Sequence, residues 1–184
     1  MFDISRRGFA LGAVASTLAA CGNGIGSQGA ATIDARVQST LNQMYTNYPG
    51  TRQLADRASG ILVMPLVTEV GLGLGGSFGR GALLVGPSTV DYYAAASGSA
   101  GLQIGAQQFS HVLFFMTNEA LQEFRSSQGW AAGADVEYAF SNNSDMLRAE
   151  TTTSLSPVIA VVFAQTGLRV GATLEGTKYT RIIP

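Results

Sequence analysis

Apolar residues change their spacing repeatedly along this chain, and each change marks a different kind of segment. Residues 8–20 are small or apolar and carry no charge, directly after Arg6-Arg7 and directly before Cys21. A spanning helix needs about 20 apolar residues, so this shorter run predicts a signal h-region and not a mature membrane helix. Residues 22–31 (GNGIGSQGAA) are uncharged and glycine-rich, which predicts a flexible tether. From Thr32 onward, Ile33, Val37, Leu41, Met44, Tyr45 and Tyr48 recur at helical spacing and make one apolar stripe. Thr32 is expected to cap that helix over 32–48, and Pro49-Gly50 to stop it. A second short helix over 51–58 sets Leu54, Ala55 and Ala58 against Arg52, Asp56 and Arg57.

After residue 59 the helical period disappears. Residues 60–67 (GILVMPLV) form a continuous apolar run of strand length, in which Pro65 suggests an edge or a bulge. Short strand-like segments follow at 71–76, 79–85, 90–96, 100–107 and 109–116. Residues 117–126 read as a helix, with Thr117 as N-cap and Glu119 near the positive end of the dipole. Leu121 and Phe124 would face inward, and Gly129 would end the segment. The closing segments 132–140, 148–153, 158–164, 168–174 and 177–183 are again strand-like, with turns at Asn142-Asn143 and Ser156-Pro157.

One glycine pattern recurs within this region. Segments starting at Gly71, Gly101, Gly129 and Gly167 share Gly-(Leu or Trp)-x-apolar-Gly-(Ala or Gly), at spacings too irregular for a solenoid. In a strand, Gly71, Gly73 and Gly75 would share one face and bare its backbone. Recurrent interior glycine predicts tight coiling or the close approach of another element. The predicted fold class is α+β: an antiparallel, strongly coiled β-sheet with a barrel-like body, two N-terminal helices and one inserted helix.

Composition narrows the function classes. Without residues 1–20 about 164 residues remain, enough for one cored domain, so the expected organisation is a signal over 1–20, a tether over 21–31 and a domain over 32–184. Removing Arg6, Arg7 and Asp3 leaves nine basic and eleven acidic residues, which argues against a nucleic-acid partner. Leu18-Ala19-Ala20-Cys21 resembles the bacterial lipobox, in which the cysteine thiol receives a diacylglyceryl group. Ser5-Arg6-Arg7-Gly8-Phe9 resembles the twin-arginine export motif, with Ala10 where leucine is more usual. The expected location is therefore the periplasmic face of a cell envelope, lipid-anchored through Cys21, with the outer membrane favoured because Gly22 gives no retention signal. As Cys21 is the only cysteine, no disulfide within the chain is possible and packing must supply stability.

Candidate chemistry is sparse. Gly71-x-Gly73-x-x-Gly76, with Asp91 about 20 residues on, matches the dinucleotide fingerprint. That fingerprint requires a helix to follow, and Ser77-Phe78-Gly79-Arg80-Gly81 will not start one. His111 is the only histidine and lies within an apolar strand, which fits a locally hydrogen-bonded residue better than a catalytic base. No Gly-x-Ser-x-Gly elbow accompanies it. A single histidine and a lipidated cysteine are poor material for zinc, and Glu119 and Glu123 read as a solvated helix face. The expectation is a protein that is not an enzyme and uses no cofactor and no metal.

The central blocks carry a family resemblance. Ala58-Ser-Gly-Ile-Leu-Val-Met-Pro65, Gly71-Leu-Gly-Leu-Gly-Gly76, Tyr92-Tyr93 and Ser97-Gly-Ser-Ala-Gly-Leu-Gln-Ile-Gly-Ala106 resemble the SYLF domain family. The likeness continues through Leu113–Phe124, Gly129-Trp-x-x-Gly-Ala-Asp135 and 167–176, and covers about residues 32–183. It implies binding of anionic phospholipid such as phosphatidic acid or phosphoinositides, and actin in some fungal members. Actin is absent from a bacterial envelope, so only the lipid half transfers to the bacterial lipoprotein branch that this chain resembles more closely. Eukaryotic members use a basic amphipathic N-terminal helix, whereas here the 32–48 helix carries only Arg36 against Asp34. One arginine near an anionic surface contributes about 1 kcal/mol. Headgroup candidates are Arg52, Arg57, Arg80, Arg125, Arg169 and Lys178, provided that they gather around one apolar opening. Scattered placement would favour the alternative, an envelope structural protein with a protein partner and no specific lipid.

Overall fold

In the computed structural model the described residues are 27–133, 136–138, 156–164, 174 and 176–184. Helix α1 (Gly29–Asn47) buries Ile33, Val37, Leu41 and Met44, the stripe that the helical spacing predicts. Its start differs from the expectation. The N-cap is Gln28, and Thr32 lies a turn inside, its hydroxyl donating back to the Gln28 carbonyl at 2.9 Å. Helix α2 (Thr51–Arg57) follows the Pro49-Gly50 break, with the Thr51 hydroxyl bonded to the Tyr48 carbonyl at 2.7 Å.

The strands are the main correction to the sequence reading. The six short segments expected between 60 and 116 are two long strands, β1 (Gly60–Val85, 26 residues) and β2 (Ser88–Phe115, 28 residues). They pair antiparallel along their whole length. Only Gly86-Pro87 turns the chain, with Gly86 at φ 58°, the position at which a two-residue hairpin takes glycine. The other glycines between residues 60 and 115 lie within the two strands, where they permit bending without chain reversal. Register slips at Met64/Val67, Leu72/Gly73 and Leu83/Leu84. The first slip is the bulge that Pro65 suggests, and the buried Ser110 hydroxyl donates to the freed Pro65 carbonyl at 2.7 Å.

Bulges and glycines together coil the hairpin back upon itself. In a straight strand residues 63 and 81 would stand about 60 Å apart. Here a side chain on Gly81 would collide with the Val63 carbonyl oxygen, and one on Gly79 would come 2.7 Å from Val67 Cγ2. The two limbs of β1 therefore press against each other, leaving no room for a side chain at the crossing.

The remaining described strands are β3 (Trp130–Ala131), β4 (Val136–Tyr138), β5 (Val158–Ala164) and β6 (Lys178–Ile182). They continue the sheet in the order β3-β6-β2-β5-β4, with β1 on the other side of β2. All pairings are antiparallel except β4 with β5, which run parallel, a departure from a wholly antiparallel sheet. Helix α3 (Asn118–Ser126) is inserted after β2, and its cap is the expected one: Thr117 Oγ1 accepts from the Ala120 amide at 3.2 Å.

Both faces of the central sheet are covered, which explains why 60–67 and 158–163 are apolar without alternation. Val158, Ala160 and Val162 pack inside the coil with Leu62, Leu113 and Phe115. Ile159, Val161 and Phe163 pack on the opposite face under α1. On the inner side Phe124 of α3 is surrounded by Tyr93, Phe115, Trp130 and Tyr179, at ring-centroid distances of 4.7 to 6.1 Å. The fold class is α+β with a strongly coiled sheet, as the glycine pattern predicts.

Candidate functional site

Where β1 coils back, its two limbs and the first half of α1 enclose a groove of ≈ 350 Å³. One wall is the start of α1, contributing Gly29, Thr32, Ile33 and Arg36. Pro65, Leu66 and Thr68 of the outgoing limb form the second wall, and Phe78, Gly79 and Arg80 of the returning limb close the third. Gly79 is required there because a Cβ would approach the Leu66 carbonyl oxygen to 2.8 Å. Phe78 is 56% exposed although it is a large apolar side chain. Arg36 and Arg80 thus line the groove beside an accessible aromatic ring.

Helix α1 is held over this site by a carboxylate. Asp34 accepts from Tyr92 Oη at 2.9 Å and from Thr89 Oγ1 at 3.0 Å, which fastens the helix to the tip of the hairpin. Burial pushes the Tyr92 phenol above its ordinary value, and the bond to Asp34 adds to the shift. Asp34 is engaged away from the groove, whereas Arg36 lines it. The near-balance of one arginine against one aspartate in the helix sequence is therefore divided between two places in the fold.

Among the described basic candidates only Arg80 lines this groove. Arg52 stacks over the Tyr45 ring, 4.8 Å from its centroid, and Arg57 occupies the last turn of α2. Arg125 Nε lies 3.0 Å from Asp91 Oδ2, and Arg181, which sequence reasoning missed, contacts the other carboxylate oxygen of Asp91 at 3.4 Å. Lys178 is exposed on β6, with its aliphatic stem laid across Gly129. Arg169, like Arg6, Arg7 and Cys21, lies outside the described residues. The six candidates do not converge, and the second arginine of the groove is Arg36.

His111 is fully buried, with Nε2 2.8 Å from the Tyr179 hydroxyl. Its Nδ1 has no hydrogen-bond partner among the described residues. Loss of hydration lowers its pKa to about 3, so the imidazole is neutral at physiological pH. No group of three or more metal-ligating side chains occurs among the described residues. No helix among them is long and apolar enough to cross a membrane.

The groove thus combines two arginines and two threonines with apolar side chains. Residues 96–181 match the family model Ysc84, described as Las17-binding protein actin regulator. The matched residues are similar to the SYLF family, in agreement with the resemblance that the sequence blocks carry. None of the curated proteins matches the chain. The family match begins inside β2, at Ala96, and includes α3 and most of β6, whereas the residues lining the groove all precede it.

Proposed function

We propose that this protein is a lipid-anchored module of the cell envelope whose SYLF-family domain binds anionic phospholipid in the groove between α1 and β1. The observation that carries the reading is the pairing of Arg36 and Arg80 with exposed Phe78 in one groove, on a chain whose net charge is −1. Overall attraction to an anionic surface is absent, so recognition would be local. The guanidinium groups would take the phosphate, since their donors suit its oxygens, and the apolar walls would take part of an acyl chain. Arg6 and Arg7 would direct export and Cys21 would carry the anchor, so the groove would work at a membrane from which the protein does not dissociate. The role is binding without catalysis.

Vesicle co-sedimentation of the full chain carrying Cys21→Ser tests this reading. Vesicles containing phosphatidic acid or a phosphoinositide should retain the protein, and phosphatidylcholine alone should not. Replacing both arginines (Arg36→Gln with Arg80→Gln) should weaken retention about thirtyfold, at about 1 kcal/mol for each lost charge near the surface. Because part of the binding is apolar, salt should reduce it only in part. Equal, negligible retention on all vesicles would overturn the lipid reading and leave an envelope protein whose partner is another protein. In cells, Cys21→Ser should also release the protein from the membrane fraction; persistence there at high salt would remove Cys21 as the anchor.

A further inference from the structure

The middle of the β1–β2 hairpin is chemically unlike the rest of the domain. Residues 70–79 of β1 and 96–108 of β2 contain no charged side chain, and Val70 pairs with Ala106 at one end and Phe78 with Ala96 at the other. Strand β6 pairs with β2 only up to Ala96 and β5 only from Phe109, so among the described residues this stretch of β2 pairs with β1 alone. Four large apolar side chains are exposed among the described residues, and two of them, Val70 (54%) and Phe78 (56%), lie on this ribbon. Both are even-numbered positions of β1, eight residues apart, with the register slip at Leu72/Gly73 between them. The described polar side chains are partly satisfied within the ribbon, since the Ser77 and Ser97 hydroxyls bond each other across the strands at 2.7 Å. Glu69 and Arg80 are the charged residues that bound the β1 half of the ribbon, and Arg80 is one of the two groove arginines.

We propose that this uncharged ribbon is the element that enters the lipid, with Val70 and Phe78 sunk below the headgroups while Arg36 and Arg80 hold phosphates at the surface. The inference rests on the phospholipid reading of the groove and adds to it a specific occupant for the exposed apolar face, a bilayer surface. Three physical conditions for insertion meet here. No charge has to be desolvated within 70–79 or 96–108. Facing backbone groups of the two strands satisfy one another, and shallow insertion leaves the outward edges of the ribbon at headgroup depth, where water can reach them. The cationic side chains stand at one end of the ribbon, where a bilayer places its phosphates. A protein partner would bring its own polar rim to match, whereas a lipid surface needs only this apolar face beside positive charge.

The sequence contains one tryptophan, Trp130, so a single fluorescent reporter can be placed at the proposed insertion point. In the full chain with Cys21→Ser, Trp130→Phe and Phe78→Trp, mixing with vesicles of phosphatidylcholine and phosphatidic acid should shift the emission to the blue. Spin-labelled phosphatidylcholine should quench it, and aqueous iodide should lose access. Retention on the vesicles with an indole that iodide still quenches would overturn insertion while leaving the phospholipid reading intact. No retention would overturn both. Because Trp130 packs on Phe124, the folding of that variant is avoided by a second test in the chain with Cys21→Ser alone. There Phe78→Ala should weaken partitioning about tenfold, the effect of withdrawing a half-exposed phenyl ring from hydrocarbon, and Val90→Ala should not. Equal partitioning of the Phe78→Ala and Val90→Ala proteins would also overturn insertion.

Discussion

Replacing Gly81 by alanine probes the crossing on which the groove depends. A Cβ at this position would overlap the Val63 carbonyl oxygen and lie 2.5 Å from Met64 Sδ, with Val63 and Met64 both completely buried. The methionine can swing its end aside. The carbonyl cannot, because Val63 is paired with Val112 and its strand is packed on both faces. The added methyl must therefore push the two limbs of β1 apart, an overpacking that costs about 1–3 kcal/mol. For a domain of this size that amounts to a fall in Tm of about 3–10 °C. Gly98→Ala is the matched control on the same hairpin, since its Cβ would meet nothing within 4 Å. Alanine there should be neutral or slightly stabilising, because glycine inside a strand costs about 0.5–1 kcal/mol relative to alanine. Urea and thermal unfolding, followed by circular dichroism, compare the two variants with the parent. If Gly81→Ala unfolds within about 0.5 kcal/mol of Gly98→Ala, a scatter ordinary for harmless substitutions, the limbs are not pressed together and the groove lacks its floor.

Two further outcomes follow from polar groups, one buried and one half-buried. His111 takes up no proton in the folded state until about pH 3, whereas the unfolded chain binds one below about pH 6.5. Its contribution to stability is therefore complete above pH 6.5 and declines at roughly 1.4 kcal/mol per pH unit as the pH falls toward 3. As it is the only histidine, urea titrations between pH 6.5 and 5 isolate it, and His111→Leu should flatten the slope; identical slopes would refute the assignment. Asp34→Ala removes both acceptors that tie α1 to Tyr92 and Thr89, and should cost about 1.5–3 kcal/mol, the range for hydrogen bonds to a charged group. Amide exchange should accelerate at the hairpin tip, and unchanged exchange there would show that the tie does not hold the helix.

Residue order alone determined the local elements and the class of fold. The 3.6-residue stripe from Ile33 to Met44 placed α1, Thr117 placed the start of α3, and the glycine recurrence implied a coiled sheet. These features are readable because they depend on neighbours within a few positions of each other. Strand length was not readable, because glycines that open a turn and glycines that relieve a crossing look alike in a linear chain. Only Gly86 turns the hairpin, while Gly79 and Gly81 lie where the returning limb meets Val67 and Val63. The groove was decided at the same level. Arg36 stands outside the buried stripe of its helix and Arg80 is the exposed residue between the two glycines of the crossing, and nothing local relates the two. They line one groove because bulges coil β1 back on itself while Asp34 fastens α1 across it. Sequence patterning records which face of an element avoids water, but which solvent-facing side chains become neighbours is set by how distant limbs of the chain cross.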